Sequence, residues 1–477
     1  MRLLLIAIAA MIAGAMADIW APAHAQLFTR QAYSTFIPGT VAQDLVVAPK
    51  GGWVYFVGAT TLPDYPVTPN AFDRTCGTDG TCNAVQGRFG IERRADIVLT
   101  VLDATGHIQY STFLGGAGQD DNPRLAIAPN GTVWIAGRTA SPNFENNSTG
   151  CTGLFIARLA FTLDRIEQVQ CISGPALTDI ALDAPGNLWV LAAASSPVQT
   201  RNALQPNPGG LIDMFLAQIV PGEAVPRMAT YIGGRGSDLP RALAMTPGGN
   251  IAVAGATTSQ DFPVVRPLHP SRSTSVVNGD AVVLVFDRSG TFLQFSTFLG
   301  GTSDDEADGV AVDGAGNVYV TGYTRSSDMV ITEGAAAPRC GSSSGCFDAF
   351  VTKLSATGEL IASSFYGGSG LDIGRSVAVG SQGEAIVLGT TQSADFPMVN
   401  GQRFVRWTPG VNFEHTFVTV FGRQLERVTS TAFVGDERYL PNVAVFKVNG
   451  GFAYVAGQVS TLTGGTFGTY LSAVKLP

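Results

Sequence analysis

Residues 296–324 read STFLGGTSDDEADGVAVDGAGNVYVTGYT. The segments GVAVD and VYVTG within this stretch alternate apolar residues with small or polar ones, which is typical of half-buried β-strands. The turn GAGN between them is rich in glycine, so the two segments predict a β-hairpin. STFLGG, just before, predicts another strand that ends in a Gly-Gly turn.

This pattern recurs along the whole chain. Counterparts of STFLGG start at Ser34, Ser111, Gln170, Ala229, Ser363 and Ser430, and each is followed by a predicted hairpin. We place the starts of the seven repeat units near residues 33, 110, 170, 229, 295, 362 and 429. A further apolar segment, such as DAFVTKLS at 348–355, precedes the next copy of STFLGG, so each unit contains four strands.

Seven four-stranded antiparallel units can bury both of their faces by packing radially around an axis. We therefore predict an all-β fold, a seven-bladed β-propeller. YSTFI at 33–37 resembles a fourth strand, whereas YLSAVKL at 470–476 resembles a third strand. The N-terminal strand is thus expected to complete the last blade and close the ring, which removes the exposed edges of an open array. Residues 26–477 are expected to form one domain.

The combination of STFLGG, GVAVDGAGNVYVTG, SADFP and DAFVTKLSATGEL resembles the SBBP β-propeller repeat of bacterial surface and secreted proteins. A more distant similarity is to NHL repeats. The resemblance covers almost all of the chain after residue 25 and is weakest in the third unit. It implies a propeller fold, export and an interaction role, and it carries no catalytic residues to transfer.

The first 25 residues look like a secretory signal peptide. Arg2 is followed by an uncharged run from Leu3 to Ala17, and Ala23-His24-Ala25 forms a small-residue cleavage site. The run is too short for a bilayer span, so we expect a secreted protein, in the periplasm, outside the cell or on its surface, with no membrane span. The net charge of −8 argues against a nucleic-acid partner. We expect a monomer.

The chain contains six cysteines, an even number for an exported protein, so disulfides are the expected state. Cys76 and Cys82 have the same spacing as Cys340 and Cys346, in the same part of two repeats. We expect each of these pairs to close its own loop, which leaves Cys151 and Cys171 for each other, although six cysteines permit other pairings.

Two sets of connections are long or variable: those between the second and third strands of a unit, and those from the fourth strand to the next unit. In an up-and-down blade both sets emerge on one face, which we call the loop-rich face. Loops on a rigid scaffold commonly carry binding sites. Carboxylates are frequent in these loops: Asp64, Asp120, Asp121, Asp238, Asp261, Asp304, Asp305, Glu306, Asp308, Asp372 and Asp395.

These carboxylates have two interpretations. Clustered oxygen ligands suit Ca²⁺, and Asp304, Asp305 and Asp308 are the densest group and therefore the candidate metal site. Because most of the aspartates recur once per repeat, turn capping through backbone N–H groups is the favoured interpretation. No cofactor other than Ca²⁺ is suggested.

Arginines form a second candidate site. Arg241 and Arg375 align with Asp308 at the entrance to the innermost strand, and Arg124 lies one position later in its unit. They could form the rim of the central channel and bind an anionic ligand, or they could pair with the acidic turns, which is the favoured interpretation.

Catalytic signatures are scarce. His107, His269 and His415 lie in different units, and the sequence contains no H-E-x-x-H motif. We name no catalytic residue. The preferred hypothesis is a non-catalytic scaffold that binds a protein or glycan through the loop-rich face. The alternatives are an exported lyase or hydrolase acting at the channel mouth and a structural repeat protein of a surface layer.

Overall fold

The hairpin that the GAGN segment predicts is present, and its turn is tight. The N–H of Gly316 donates to the carbonyl of Asp313 at 3.0 Å, and the N–H of Asp313 donates to the carbonyl of Asn317 at 3.0 Å. Gly316 has a φ of +86°, a conformation that favours glycine. The Asn317 amide closes the turn on the Asp313 carboxylate at 2.7 Å. The turn thus fixes the register of the two strands it joins.

The computed structural model describes residues 31–48, 51–87, 90–144, 151–272, 279–341, 345–403, 415–434, 442–449, 451–460 and 467–476. The predicted signal peptide lies outside the described residues. Within them the regular structure is β-sheet, with no α-helix, and four-stranded antiparallel sheets repeat seven times. The predicted seven-bladed propeller is confirmed.

Each blade is a meander of four strands, numbered outward from the axis. Blade 1 contains β2 (Val41–Val47), β3 (Val54–Thr60), β6 (Asp96–Leu102) and β7 (Ile108–Leu114). Blade 2 contains β8 (Asp120–Ile127), β9 (Val133–Thr139), β10 (Gly153–Leu159) and β11 (Ile166–Ile172). Blade 3 contains β12 (Ala176–Leu182), β13 (Leu188–Ala194), β14 (Asp213–Ile219) and β15 (Met228–Ile232). Blade 4 contains β16 (Asp238–Met245), β17 (Ile251–Thr257), β18 (Asp280–Phe286) and β19 (Leu293–Leu299).

The remaining blades follow the same order. Blade 5 contains β20 (Asp305–Val312), β21 (Val318–Thr324), β22 (Asp348–Leu354) and β23 (Leu360–Tyr366). Blade 6 contains β24 (Asp372–Val379), β25 (Ala385–Thr391), β27 (His415–Phe421) and β28 (Val428–Val434), and β26 (Gln402–Arg403) adds to its outer edge. Blade 7 contains β29 (Asn442–Asn449), β30 (Phe452–Ser460), β31 (Phe467–Lys475) and β1 (Gln31–Pro38). A small hairpin of β4 (Val85–Gly87) and β5 (Gly90–Glu92) lies between β3 and β6.

The ring closes through the N-terminal strand. β1 pairs antiparallel with β31, in a register that sets Phe36 opposite Tyr470 and Thr35 opposite Leu471. The predicted split blade is therefore present. Closure covers the edge of β31, which would otherwise expose a row of unpaired backbone groups.

The core is divided into layers between neighbouring blades. One apolar cluster fills each of the seven junctions, for example around Leu125 and Phe155 between blades 1 and 2, and around Leu216 and Phe286 between blades 3 and 4. Each blade is covered on both faces only because it has neighbours. The first strands line the axis, and the bulge that recurs in them turns side chains toward it.

Candidate functional site

The loop-rich face carries the long insertions. Connections between second and third strands span residues 61–95, 140–152, 195–212, 258–279, 325–347 and 392–414. They contact the turns that lead into the next blade: the N–H of Thr258 donates to the carbonyl of Ser237 at 2.8 Å, and the N–H of Arg325 donates to the carbonyl of Asp304 at 2.9 Å. The two sets of loops therefore form one surface, whereas the hairpin turns at the other end are short.

A repeated hydrogen-bond network fixes the base of this face. In the turn between blades 3 and 4, Gly234 donates its N–H to Asp238 Oδ2, Arg235 to Asp261 Oδ1 and Gly236 to Ser259 Oγ, each at 2.8 Å. The same three contacts recur in the turns of residues 116–118, 301–303 and 368–370. Asp120, Asp238, Asp305, Asp372, Asp261 and Asp395 all accept backbone N–H groups in this network. This is a turn-capping arrangement.

Asp304, Asp305 and Asp308, the candidate metal ligands, are not brought together. Asp305 is buried against Thr324 and Ser326. Asp304 faces Arg325, with 3.6 Å between its Oδ2 and the arginine Nη1. Asp308 faces the axis. Successive residues of a strand point to opposite sides, and the bulge adds a further rotation. The three carboxylates are therefore not close together in space, although the residues are close in sequence.

The other candidate carboxylates have separate environments as well. Asp121 pairs with Arg138, with Arg138 Nε 2.7 Å from Asp121 Oδ1. Glu306 lies beside Arg241 and accepts a hydrogen bond from the Tyr323 hydroxyl at 3.3 Å. Asp64 is exposed in the turn before Tyr65. None of these three groups is part of a shared metal-binding cluster.

Arg124, Arg241 and Arg375 do line one cavity, of about 480 Å³, at the axis. Arg375 Nη1 lies 3.2 Å from Asp308 Oδ2, and Arg241 Nε lies 3.9 Å from Asp308 Oδ1. Burial of Asp308, together with the charge of Glu306, raises the pKa of its carboxyl to about 7, although both arginines act against this shift. Arg241 and Arg375 remain 41% and 45% exposed, so their guanidinium groups also face the cavity.

Arg124 behaves differently from the other two arginines. Its Nε donates to the carbonyl of Thr178 at 2.9 Å, and its Nη1 donates to the carbonyl of Pro123 at 3.0 Å. It thus links first strands around the axis, and it contributes less than Arg241 and Arg375 to an open anion site.

Two aspartates that line the channel, the buried Asp44 and the partly buried Asp179, were not predicted. Asp44 Oδ2 accepts the N–H of Leu125 at 2.8 Å, which ties the first strands of blades 1 and 2. Asp179 Oδ2 accepts the N–H of Leu243 at 2.8 Å, which does the same for blades 3 and 4. Each carboxylate also accepts the N–H of the residue that follows it. Both aspartates lie at the bulge of a first strand. The hairpin pattern of the sequence does not reveal the positions of these bulges.

The six cysteines form three disulfides, Cys76–Cys82, Cys151–Cys171 and Cys340–Cys346. Each bond involves an insertion of the loop-rich face: the first lies in residues 61–95, the second joins residues 140–152 to β11, and the third lies in residues 325–347. Three disulfides indicate an oxidising environment.

The histidines do not converge. His107 is exposed in a hairpin turn near Asp103, with 3.9 Å between its Nδ1 and the carboxylate. His269 is partly buried, which lowers its pKa. His415 starts β27 and packs near Phe433. The three residues belong to blades 1, 4 and 6, so the described part of the chain groups no two of them in one site.

Large apolar side chains are exposed on both ends of the propeller. Leu211, on the loop-rich face, is 73% exposed. Phe161 and Phe292, in the short turns between third and fourth strands at the opposite face, are 69% and 62% exposed. Apolar exposure therefore does not by itself distinguish the two faces.

Comparisons with known proteins agree with the repeat. Residues 294–328, within the fifth unit, match the SBBP family model, described as a β-propeller repeat. The regulatory protein FlaEY of Caulobacter vibrioides is 25% identical over 324 residues, which are 63% of this chain and 33% of FlaEY. The chain thus matches about a third of the length of that curated relative.

Similar solved structures are distant. A protein of unknown function from Dyadobacter fermentans is 11% identical, with a TM-score of 0.43, and the match covers 94% of this chain and 99% of that one. An ulvan lyase of polysaccharide lyase family PL25 is 12% identical, with a TM-score of 0.47, over 94% of this chain and 96% of the lyase. Among the described residues, no helix has the length and apolar character needed to cross a membrane.

Proposed function

Because the chain is a β-propeller repeat protein of the SBBP type, we propose that it acts as an exported, non-catalytic binding scaffold whose loop-rich face holds a protein or a glycan. The observation that carries this proposal is the one-sided placement of the insertions. The long connections from β3 to β6 and from β21 to β22 start and end at one face, while the turns at the other face remain short. A scaffold that only spaced other domains would have no need of this asymmetry.

Preorganisation supports the same function. The turn network around Asp238 and its counterparts takes up successive backbone N–H groups at the base of the loops. Two short disulfide loops, Cys76–Cys82 and Cys340–Cys346, restrain the insertions above it. Loops that are ordered before binding lose less conformational entropy when a partner docks.

The axial cavity offers a charged subsite within this face. Arg241 and Arg375 each combine an ion pair to Asp308 with partial exposure. An acidic group of the partner, such as a uronate, a sulfate or an Asp or Glu side chain, would compete for the same guanidinium groups. The subsite therefore favours an anionic ligand.

Export is part of the proposal. The disulfides need an oxidising compartment. Residues 1–25 have the composition of a secretory signal peptide, and residues 26–477 would then be the mature, monomeric domain. The partner would be a component of the cell envelope or of the extracellular space.

Binding to an array of neutral and acidic glycans and to envelope proteins tests the function, with variants of the two faces as matched controls. Leu211→Ser and Arg235→Glu change exposed residues of the loop-rich face, and Phe161→Ser and Phe292→Ser change exposed residues of the opposite face. The proposal predicts that only the first two weaken binding. Loss of binding in the second two alone would contradict it.

A second arm of the experiment examines the charged subsite. Arg241→Glu with Arg375→Glu is expected to abolish binding of an acidic ligand. Unchanged binding would remove the axial cavity from the site. Shortening of a glycan during the incubation would favour the alternative, an exported polysaccharide-degrading enzyme.

A further inference from the structure

Four blade junctions contain a pair of buried carboxylates. One member is the first residue of a third strand, and the other is the first residue of the next blade's first strand. The pairs are Asp96 with Asp120, Asp213 with Asp238, Asp280 with Asp305, and Asp348 with Asp372. All eight residues are between 0% and 3% exposed. Two ionised carboxylates in so little water are strongly unfavourable unless something compensates their charge.

At two of these junctions, both carboxylates of the pair lie against one glycine of the turn. A Cβ added to Gly233 would lie 2.0 Å from Asp213 Oδ1 and 2.5 Å from Asp238 Oδ2. A Cβ added to Gly367 would lie 2.6 Å from Asp372 Oδ2 and 3.0 Å from the carboxylate of Asp348. A side chain at either glycine would therefore collide with both acids, which explains the need for glycine at these turns.

One oxygen of each third-strand aspartate lacks a partner in three of these pairs. Oδ2 of Asp96, Asp213 and Asp348 accepts a loop N–H, from Gly77 at 2.5 Å, Gly209 at 2.8 Å and Gly341 at 2.8 Å, respectively. Oδ1 of the same three residues is buried, and it has no hydrogen-bond partner in the described part of the chain. Buried polar atoms are nearly always satisfied, so an unpartnered oxygen that repeats at equivalent positions points to an absent ligand.

The fourth pair contains its own cation. The side chain of Arg272 enters the junction of blades 4 and 5, with its Nε 3.9 Å from Asp280 Oδ1, and both side chains are 5% exposed. A buried guanidinium therefore accompanies the carboxylates where the sequence provides one. The other three pairs have no such group among the described residues.

The two positions of a pair also change together along the chain. At the junction of blades 2 and 3 they are Gly153, which starts β10, and Pro175, which immediately precedes the shorter β12. At the junction of blades 7 and 1 they are Gly468 and Thr40, which precedes β2. Neither junction has a carboxylate at either position. The two aspartates are thus kept or lost as a unit, as expected if they hold one shared ion.

We propose that the three junctions formed by Asp96 with Asp120, Asp213 with Asp238, and Asp348 with Asp372 each bind one Ca²⁺ ion between the two carboxylates. Oxygen ligands from carboxylates and from the surrounding backbone suit a hard cation of this size. The sulfurs of Cys340 and Cys346 lie within 4.8 Å of the Asp348 carboxylate. Because these two cysteines form a disulfide, they are not thiolate ligands for a metal ion. These sites lie inside the junctions, apart from the axial cavity, and do not depend on the proposed ligand.

The insertions close over these sites. Gly77 lies inside the Cys76–Cys82 loop and Gly341 inside the Cys340–Cys346 loop, and each donates its N–H to the aspartate below. Gly209 takes this place between blades 3 and 4. Ion binding would consequently order the base of the loop-rich face as well as the blade junctions.

The test is the calcium content of the full mature protein after removal of metals and dialysis against buffered Ca²⁺, together with thermal unfolding in Ca²⁺ and in EDTA. The expected stoichiometry is three ions per chain, with a Tm higher in Ca²⁺ by about 5 °C or more. Asp96→Asn, Asp213→Asn and Asp348→Asn should each reduce the stoichiometry to two. Asp64→Asn, at an exposed aspartate, is the matched control and should keep three.

Two results would overturn the proposal. One is wild-type protein that retains no calcium and unfolds at the same temperature in millimolar Ca²⁺ and in EDTA. The other is Asp213→Asn with unchanged calcium content and higher stability than the wild type in EDTA, which would mean that the pair shares a proton instead of an ion. The wild-type measurement decides the matter even if a variant does not fold.

Discussion

Thr469 and Ala42 are joined across the closure of the ring: the N–H of Ala42 donates to Thr469 Oγ1 at 2.7 Å, and that hydroxyl donates to the carbonyl of Thr40 at 2.9 Å. Thr469 belongs to the last strand of the chain and Ala42 to the first strand of blade 1. One buried hydroxyl thus satisfies backbone groups on the other side of the junction between blades 7 and 1.

Thr469→Val is expected to destabilise the protein, because a buried donor and a buried acceptor would lose their partner at nearly constant side-chain volume. The expected loss is about 1–3 kcal/mol in the free energy of unfolding, measured by urea titration. Thr469→Ser keeps the hydroxyl and should retain most of the stability. Unchanged stability of Thr469→Val together with a loss in Thr469→Ser would show that the methyl group, and not the hydrogen bonds, matters.

Removal of β1 tests the closure itself. A chain lacking residues 26–38 exposes the edge of β31, so we expect a lower urea midpoint and association through that edge, seen by size-exclusion chromatography. A chain that starts at Gln26 is the control and should be monomeric. A monomeric truncated chain of unchanged stability would contradict a ring closed by β1.

The raised pKa of Asp308 predicts how the free energy of unfolding depends on pH. Its pKa is about 7 in the folded protein and its ordinary value is 3.8, so between these values the folded state holds a proton that the unfolded state has lost. The free energy of unfolding therefore falls as the pH rises from about 4 to 7 and levels off above the folded pKa. The charged groups that face it are Glu306, Arg241 and Arg375.

Asp308→Asn should remove this contribution. Relative to the wild type, the variant is expected to gain roughly 1–3 kcal/mol between pH 4 and pH 8, a figure reduced for the water in the axial cavity. Chemical denaturation at several pH values measures the difference. A parallel pH profile in the two proteins would show that Asp308 ionises as it does in the unfolded chain.

The disulfide of the fifth blade predicts separate effects on stability and binding. Cys340→Ser with Cys346→Ser should lower the free energy of unfolding by about 2 kcal/mol, the amount expected for a short loop. Ligand affinity should fall as well, since Cys340 and Cys346 lie on the loop-rich face. Full affinity in the double variant would place the ligand away from this loop.

The fold was accessible to sequence reasoning because each blade repeats its own signals. Alternating segments such as VYVTG, a glycine turn and STFLGG specify strands, hairpins and blade boundaries seven times. The complementary ends, YSTFI and YLSAVKL, predicted the closure that β1 and β31 make. Because the pattern occurs seven times, the fold could be predicted even though the repeat pattern is poorly matched in the third unit.

The site was less accessible, because side-chain partners depend on contacts between blades. Asp304, Asp305 and Asp308 are close in sequence but have separate surroundings. Asp304 faces Arg325, Asp305 belongs to the turn network, and Asp308 faces the axis. Asp96, Asp213 and Asp348 were visible only as the first residues of strands. The sequence signal that could have identified them is their joint occurrence with Asp120, Asp238 and Asp372 in the following unit.

Hydrogen exchange of the protein with and without its ligand shows directly whether binding occurs through the loop-rich face. We expect slower exchange on binding in the insertions, including residues 195–212 and 325–341, and in the turn of residues 233–237. Protection confined to the opposite turns, around Phe161 and Phe292, would contradict it.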